Sequence, residues 1–231
     1  MKTIGMIGGM SWESSLEYYR ILNQTVSARL GGLHSARCIL TSVDFAEIEV
    51  LQREGRWEES GQRMAEAAAS LERAGADCVI LCTNTMHKLV DDIQAAIQIP
   101  FLHIADATAE RVKAAGIQRI GLLGTRFTME EDFYRGRLEQ RHQLTVLTPP
   151  PAQRETVHRV IYDELCLGQI REESRAAYRE IIADLAAAGA QGILLGCTEI
   201  ELLVRPEDSP LPLFPTTRIH AEAAVDWALT A

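Results

Sequence analysis

Short apolar runs alternate along this chain with longer amphipathic stretches, and the difference in length separates strands from helices. Residues 3–7, 37–42, 78–81, 119–123, 144–147 and 192–195 read as strands, with 100–104 and 211–214 as two more. The stretches 11–28, 45–51, 57–74, 87–97, 107–115, 129–140, 153–165, 172–188 and 219–229 read as helices. Ser11 suits the N-cap of the first helix, Gly116 ends the helix 107–115, and Thr148-Pro149-Pro150-Pro151 reads as a stiff surface connection. Strands alternating with helices of this length imply an α/β fold with parallel sheets covered on both faces. Ligands of such sheets bind beyond the carboxyl ends of the strands.

One segment occurs twice, without a gap, 114 residues apart. Gly75-Ala76-Asp77-Cys78-Val79-Ile80-Leu81-Cys82-Thr83-Asn84-Thr85 matches Gly189-Ala190-Gln191-Gly192-Ile193-Leu194-Leu195-Gly196-Cys197-Thr198-Glu199, placing Thr83 opposite Cys197. Ile4-Gly5-Met6-Ile7-Gly8-Gly9 similarly resembles Ile120-Gly121-Leu122-Leu123-Gly124-Thr125, at a separation of 116. The period is too long for a solenoid, so two similar lobes are expected, each a mostly parallel sheet flanked by helices. Residues 1–104 form the first lobe in this reading and 105–210 the second. Residues 211–231 supply a C-terminal strand and helix that pack back on the first. Four polar strand ends, at 8–11, 83–85, 125–128 and 197–199, predict one site in the cleft between the lobes.

Charge narrows the partners. The 231 residues carry 23 Lys and Arg against 32 Asp and Glu, a net charge of -9, with the basic residues scattered. This argues against nucleic acid or an anionic membrane as a partner held by bulk charge. No apolar run approaches the ~18 residues needed to span a bilayer, and the opening strand is too short for a signal-peptide core. The five cysteines are odd in number and irregularly spaced. They read as reduced thiols of a cytoplasmic protein, with Cys38, Cys78 and Cys166 buried and structural. Cys78 and Cys82 lie on a strand and lack a metal-knuckle turn, so no metal is expected.

Cys197 heads the candidates for chemistry. It follows an apolar strand where the next helix would begin, and a thiol near a helix N-terminus has its thiolate favoured. Thr83 holds the equivalent place and can donate or relay a proton, but is a far weaker base. Cys82, one residue earlier, should face the opposite side and pack. Asn84, Thr85 and Thr198 offer donors suited to a carboxylate, or simply cap their helices. Glu199 could orient a substrate ammonium or favour its helix terminus. His87 could approach the site from the first helical turn, and His103 ends the run at 100–103, yet lone histidines are more often structural. The Gly5–Gly9 stretch lacks the spacing of a dinucleotide loop.

Gly8-Gly9-Met10-Ser11-Trp12-Glu13-Ser14, Asn84-Thr85-Met86-His87, His103-Ile104-Ala105-Asp106 and Gly196-Cys197-Thr198-Glu199 span the chain in order. Together they resemble the aspartate/glutamate racemase family of cofactor-independent amino-acid racemases. The resemblance implies two α/β lobes related by pseudo-twofold symmetry, with a small amino acid in the cleft and two cysteines flanking its α-carbon. It implies no cofactor, and assigns loops such as Met10-Ser11 and Thr125 to Thr128 to substrate. This sequence departs from the pattern at the first cysteine, where Thr83 stands in its place. By analogy, Cys197 takes the α-proton of an L-amino acid and Thr83 serves the opposite face. Gln52 follows the second strand and would read the side chain of aspartate, glutamate or a polar relative such as homoserine. The single Cys197 also suits a one-cysteine decarboxylase of malonate-type acids, and a non-catalytic amino-acid sensor is the alternative outside catalysis. Family members are often dimers, which makes a homodimer compatible with the chain, although no residue pattern fixes its interface.

Overall fold

A computed structural model describes residues 1–230 as two compact units. The first holds Met1–Ile104 and the chain from His220, and the second Ala105–Ile219. The first unit contains three parallel strands, β1 (Ile4–Gly8), β2 (Cys38–Ser42) and β3 (Cys78–Leu81), in the order β2-β1-β3. The second contains β4 (Arg119–Gly124), β5 (Thr145–Leu147), β6 (Gly192–Gly196) and β7 (Leu213–Pro215), in the order β5-β4-β6-β7.

The internal repeat is visible in the register. Gly5 pairs with Val79 in the first sheet, and Gly121 with Ile193 in the second. These pairs are related by the same offsets of 116 and 114 that the sequence shows. Phe101 makes a single parallel bridge to Val79, just as Leu213 pairs with Ile193.

Alternation along the strands of the first unit divides its core between the two sheet faces. Ile7, Val79 and Leu81 pack with Ile48, Met64, Ala68 and Leu71 from the helices Phe45–Arg53 and Trp57–Arg73. Ile4, Met6, Cys78 and Ile80 pack with Tyr18, Ile21 and Leu22 from the helix Trp12–Leu30, and with Ala221, Ala224 and Val225 from the helix Thr216–Leu229. Every residue of β1 is buried, so the continuous apolar run follows from cover on both faces.

Several elements differ from the expected ones. The strand at the C-terminal end, Leu213–Pro215, pairs with β6 in the second sheet and does not return to the first unit; only the chain from His220 does so. The expected strand 100–104 shrinks to the bridge at Phe101, because the helix Ile104–Ala114 begins at once. The expected helix 129–140 is split into Arg126–Glu130 and a π-helical turn Arg137–Arg141. Glu131 is extended, and Arg137 grips Asp106 through two hydrogen bonds of 2.7 Å, with His142 on the same carboxylate at 2.7 Å. That three-way tie is a tertiary demand that helical periodicity does not report.

Gly9, with φ +94°, turns the chain after β1. A side chain there would overlap the backbone of Val43 as well as adopt a disfavoured conformation. Gly9→Ala is therefore expected to lower unfolding stability by about 2–3 kcal/mol, measured by urea denaturation; a loss below about 0.5 kcal/mol would contradict this account.

Candidate active site

The polar strand ends are built differently in the two units. After β1, the Gly9 N–H donates to Ser15 Oγ at 2.8 Å, and that hydroxyl donates to the Ser11 carbonyl at 3.1 Å. Ser11 is the N-cap expected of it, its Oγ accepting from the Ser14 N–H at 3.4 Å. These bonds lock the loop that carries Met10 and Ser11, both buried. After β3, Cys82 continues the inward row of Cys78 and Ile80 and is wholly buried with Met6 and Tyr18. Burial pushes its thiol well above the usual range, so Cys82 packs. Thr83 is partly exposed, while Asn84 and Thr85 are buried as the chain enters the 3₁₀ turn Thr85–Leu89. Gln52 lies within the helix Phe45–Arg53, and its amide donates to Met86 Sδ in that turn at 3.0 Å. The structure thus brings Gln52 to the segment that carries Asn84 and Thr85.

In the second unit, Thr125 caps the helix Arg126–Glu130. Its Oγ1 accepts from the Thr128 N–H at 3.3 Å and lies 3.1 Å from the Thr128 hydroxyl. Gly124 and Gly196 lie side by side where β4 and β6 end, and a Cβ on either would meet a main-chain oxygen of the neighbouring strand. That closeness leaves the chain beyond them free to open into polar residues. Cys197 follows, partly exposed, and its thiol donates to Glu199 Oε2 at 2.9 Å. Thr198 Oγ1 accepts from the Thr217 hydroxyl at 2.8 Å, and the Thr216 hydroxyl donates to the Leu195 carbonyl at 2.8 Å.

The expectation of a favoured thiolate at Cys197 is corrected by this geometry. Its following helix, Ile200–Leu203, is a single turn and supplies little dipole. Burial, followed by the negative charge of Glu199, pushes the Cys197 thiol well above its ordinary value. The resting site therefore holds a thiol aimed at a carboxylate. Cys38 and Cys166 are partly exposed, against the expectation of burial, whereas Cys78 is buried with its thiol pushed up to about 12, chiefly by burial.

Sequence reasoning missed Thr216 and Thr217, which brace the Cys197 strand end. The available signal was Pro215-Thr216-Thr217 at the end of an apolar run, where another strand end was due. It also set aside Cys166 and passed over Tyr178, both within electrostatic reach of Cys197. His87 and His103 are buried, and the His87 imidazole is engaged on both nitrogens by main-chain groups. Among the described residues no group of three or more His, Cys, Asp or Glu side chains is placed to hold a metal, and no helix is long and apolar enough to cross a membrane.

Two α/β units on one plan, each a parallel sheet flanked by helices, place the protein in the racemase class of isomerases. A family model for Asp/Glu/hydantoin racemases matches residues 7–224, and the chain belongs to that family. A crystal structure of a Yersinia pestis protein, provisionally assigned as an Asp/Glu racemase, is 59% identical, covers 100% of both chains and superposes with a TM-score of 0.93. An aspartate racemase homologue from Pyrococcus horikoshii is 33% identical over 100% of both chains, with a TM-score of 0.86. The broad-specificity amino-acid racemase RacX of Bacillus subtilis is 21% identical over 180 residues, 74% of each chain.

The Cys197 environment makes its reactivity climb late with pH. Alkylation by iodoacetamide, followed by peptide mass spectrometry, should show a midpoint for Cys197 above the ordinary thiol value of ~8.5. Glu199→Gln removes the neighbouring charge and should move that midpoint down. A wild-type midpoint below ~7.5 would contradict this account.

Proposed function

We propose that this racemase acts, without a cofactor, on aspartate, glutamate or a related polar amino acid such as homoserine, with Cys197 and Thr83 as its two proton-transfer residues. The observation that carries this reading is their equivalence: each follows the strand that pairs with its unit's central strand in the same register. Cys197 gives its proton to the adjacent Glu199 carboxylate as the substrate ammonium settles nearer the sulfur than the carboxylate, where its positive charge favours the thiolate. The thiolate removes the α-proton of the L-amino acid, and charge spreads into the α-carboxylate. Donors from Asn84, Thr85, Thr125, Thr128 and Thr198, with the Met10-Ser11 loop, stabilise that charge by a typical ~3 kcal/mol per well-placed donor. The planar carbanion then takes a proton from the Thr83 hydroxyl on the other face, and solvent reprotonates the alkoxide.

The pair is unequal in one direction only. A hydroxyl is acidic enough to protonate a carbanion, but its alkoxide is not populated as a base near neutral pH. Exchange of the α-proton with solvent is therefore fast from the L-enantiomer and slow from the D-enantiomer. The enantiomers have equal energy, so kcat/KM for net inversion stays equal in the two directions and the asymmetry lies in exchange. Gln52 supports a polar, uncharged reader of the side chain, its amide already oriented by Met86.

Proton NMR of L-aspartate, L-glutamate and L-homoserine in deuterium oxide tests the assignment. Wild type should erase the α-proton signal of at least one, with the D-enantiomer appearing on chiral analysis. Cys197→Ser should slow exchange by about 10³-fold or more. Thr83→Cys should raise exchange from the D-enantiomer by at least about tenfold. No α-exchange on any of the three would overturn this substrate class, and carbon dioxide release from an arylmalonate would select the decarboxylase instead.

A further inference from the structure

We propose that His87 is a positioning residue, which fixes Thr83 for proton return by holding the Thr83 carbonyl; this rests on the racemase reading above. The last ladder bond along β3 runs from the Cys82 N–H to the Ile7 carbonyl, at 2.9 Å. Thr83 lies one residue beyond it, where the sheet no longer sets the chain. There the His87 Nδ1, four residues on, approaches the Thr83 carbonyl oxygen at 2.8 Å. A carbonyl can only accept, so Nδ1 carries the hydrogen. The other nitrogen, Nε2, lies 3.3 Å from the Ile104 N–H, which can only donate. One neutral tautomer satisfies both bonds, and a charged ring would forfeit the second.

The ring has little freedom to turn. It is fully buried, with ring centroids of His103 at 4.6 Å, Phe101 at 5.5 Å and His220 at 5.9 Å. His220 is itself fixed, its Nε2 donating to the Leu102 carbonyl and its Nδ1 accepting from the Tyr18 hydroxyl, both at 2.8 Å. Burial lowers the His220 pKa to about 4, so this wall stays neutral through the physiological range. Holding the Thr83 carbonyl fixes the peptide plane from which the side chain projects, and a β-branched side chain has few rotamers to choose from.

The internal repeat shows that this device belongs to one half. The His87 N–H donates to the Asn84 carbonyl at 3.1 Å, and the Glu201 N–H donates to the Thr198 carbonyl at 3.2 Å. Position 87 thus corresponds to 201, which is glutamate. The imidazole clamp sits on the half whose proton carrier is the weaker one, where displacement by about 1 Å is expected to cost most.

The test compares inversion with exchange for the L-substrate in deuterium oxide, because exchange needs only Cys197 whereas inversion also needs Thr83. Thr83→Ala sets the reference, with exchange but little inversion. His87→Asn places an amide donor near the Nδ1 position, and His87→Gln places it near Nε2. His87→Asn should keep the inversion-to-exchange ratio within about threefold of wild type, whereas His87→Gln should lower it at least about tenfold. If the Gln variant does not fold by circular dichroism, His87→Ala takes its place. An unchanged ratio in the variant lacking the Thr83 donor, or equal losses in the Asn and Gln variants, would overturn the proposal. Failure of wild type to exchange any substrate would instead remove the racemase reading beneath it.

Discussion

A buried parallel strand cannot keep its backbone bonded and also present chemistry, so the chemistry begins where the ladder stops. This constraint organises both units. β3 gives up its last ladder bond at Cys82, and Thr83 is the first residue released. β6 stays paired through Gly196, and Cys197 is the first residue released. What each released residue can do is then decided by the groups that replace the ladder: an imidazole on one side, a carboxylate and two hydroxyls on the other.

The carboxylate sets a thermodynamic condition on Cys197. A nucleophile kept permanently as a thiolate would be exposed to adventitious alkylation and oxidation, since the thiolate is the reactive form. A thiol hydrogen-bonded to Glu199 is protected at rest, and its proton already has a destination. In the proposed mechanism, a cationic amino group seated beside the sulfur would offset the electrostatic cost of that arrangement, making substrate binding and base activation one event.

Much of this architecture was legible in the sequence because duplication leaves a mark that needs no structure. The match of residues 75–85 to 189–199 foretold two sheets in equivalent register, and apolar runs such as 4–8 announced strands buried on both sides. The Ser11 cap was legible too, since a serine before a helical pattern has few better uses. What could not be read was tertiary. Nothing local reveals that Glu199 turns toward the sulfur of Cys197, which reverses the pKa inferred from a helix terminus. The Asp106 cluster with Arg137 and His142 joins residues more than thirty apart, and so breaks a helix that looks continuous. The strand Leu213–Pro215 could have served either sheet by pattern, and its pairing with β6 depends on which edge is open.

That pairing has a further consequence for how such a protein changes over generations. Because β7 accompanies β6, the chain delivers Thr216 and Thr217 to the Cys197 strand end, whereas the counterpart beside β3 is a single bridge at Phe101 that gives way at once to a helix. The two halves have diverged in their supports as well as in the residues supported. A codon change that restored cysteine at position 83 would leave its main-chain carbonyl on the His87 imidazole, with no carboxylate counterpart of Glu199 at the matching position, which is Thr85. In the proposed mechanism that one change would return a base to the first unit, while the supports around it stayed unlike those around Cys197.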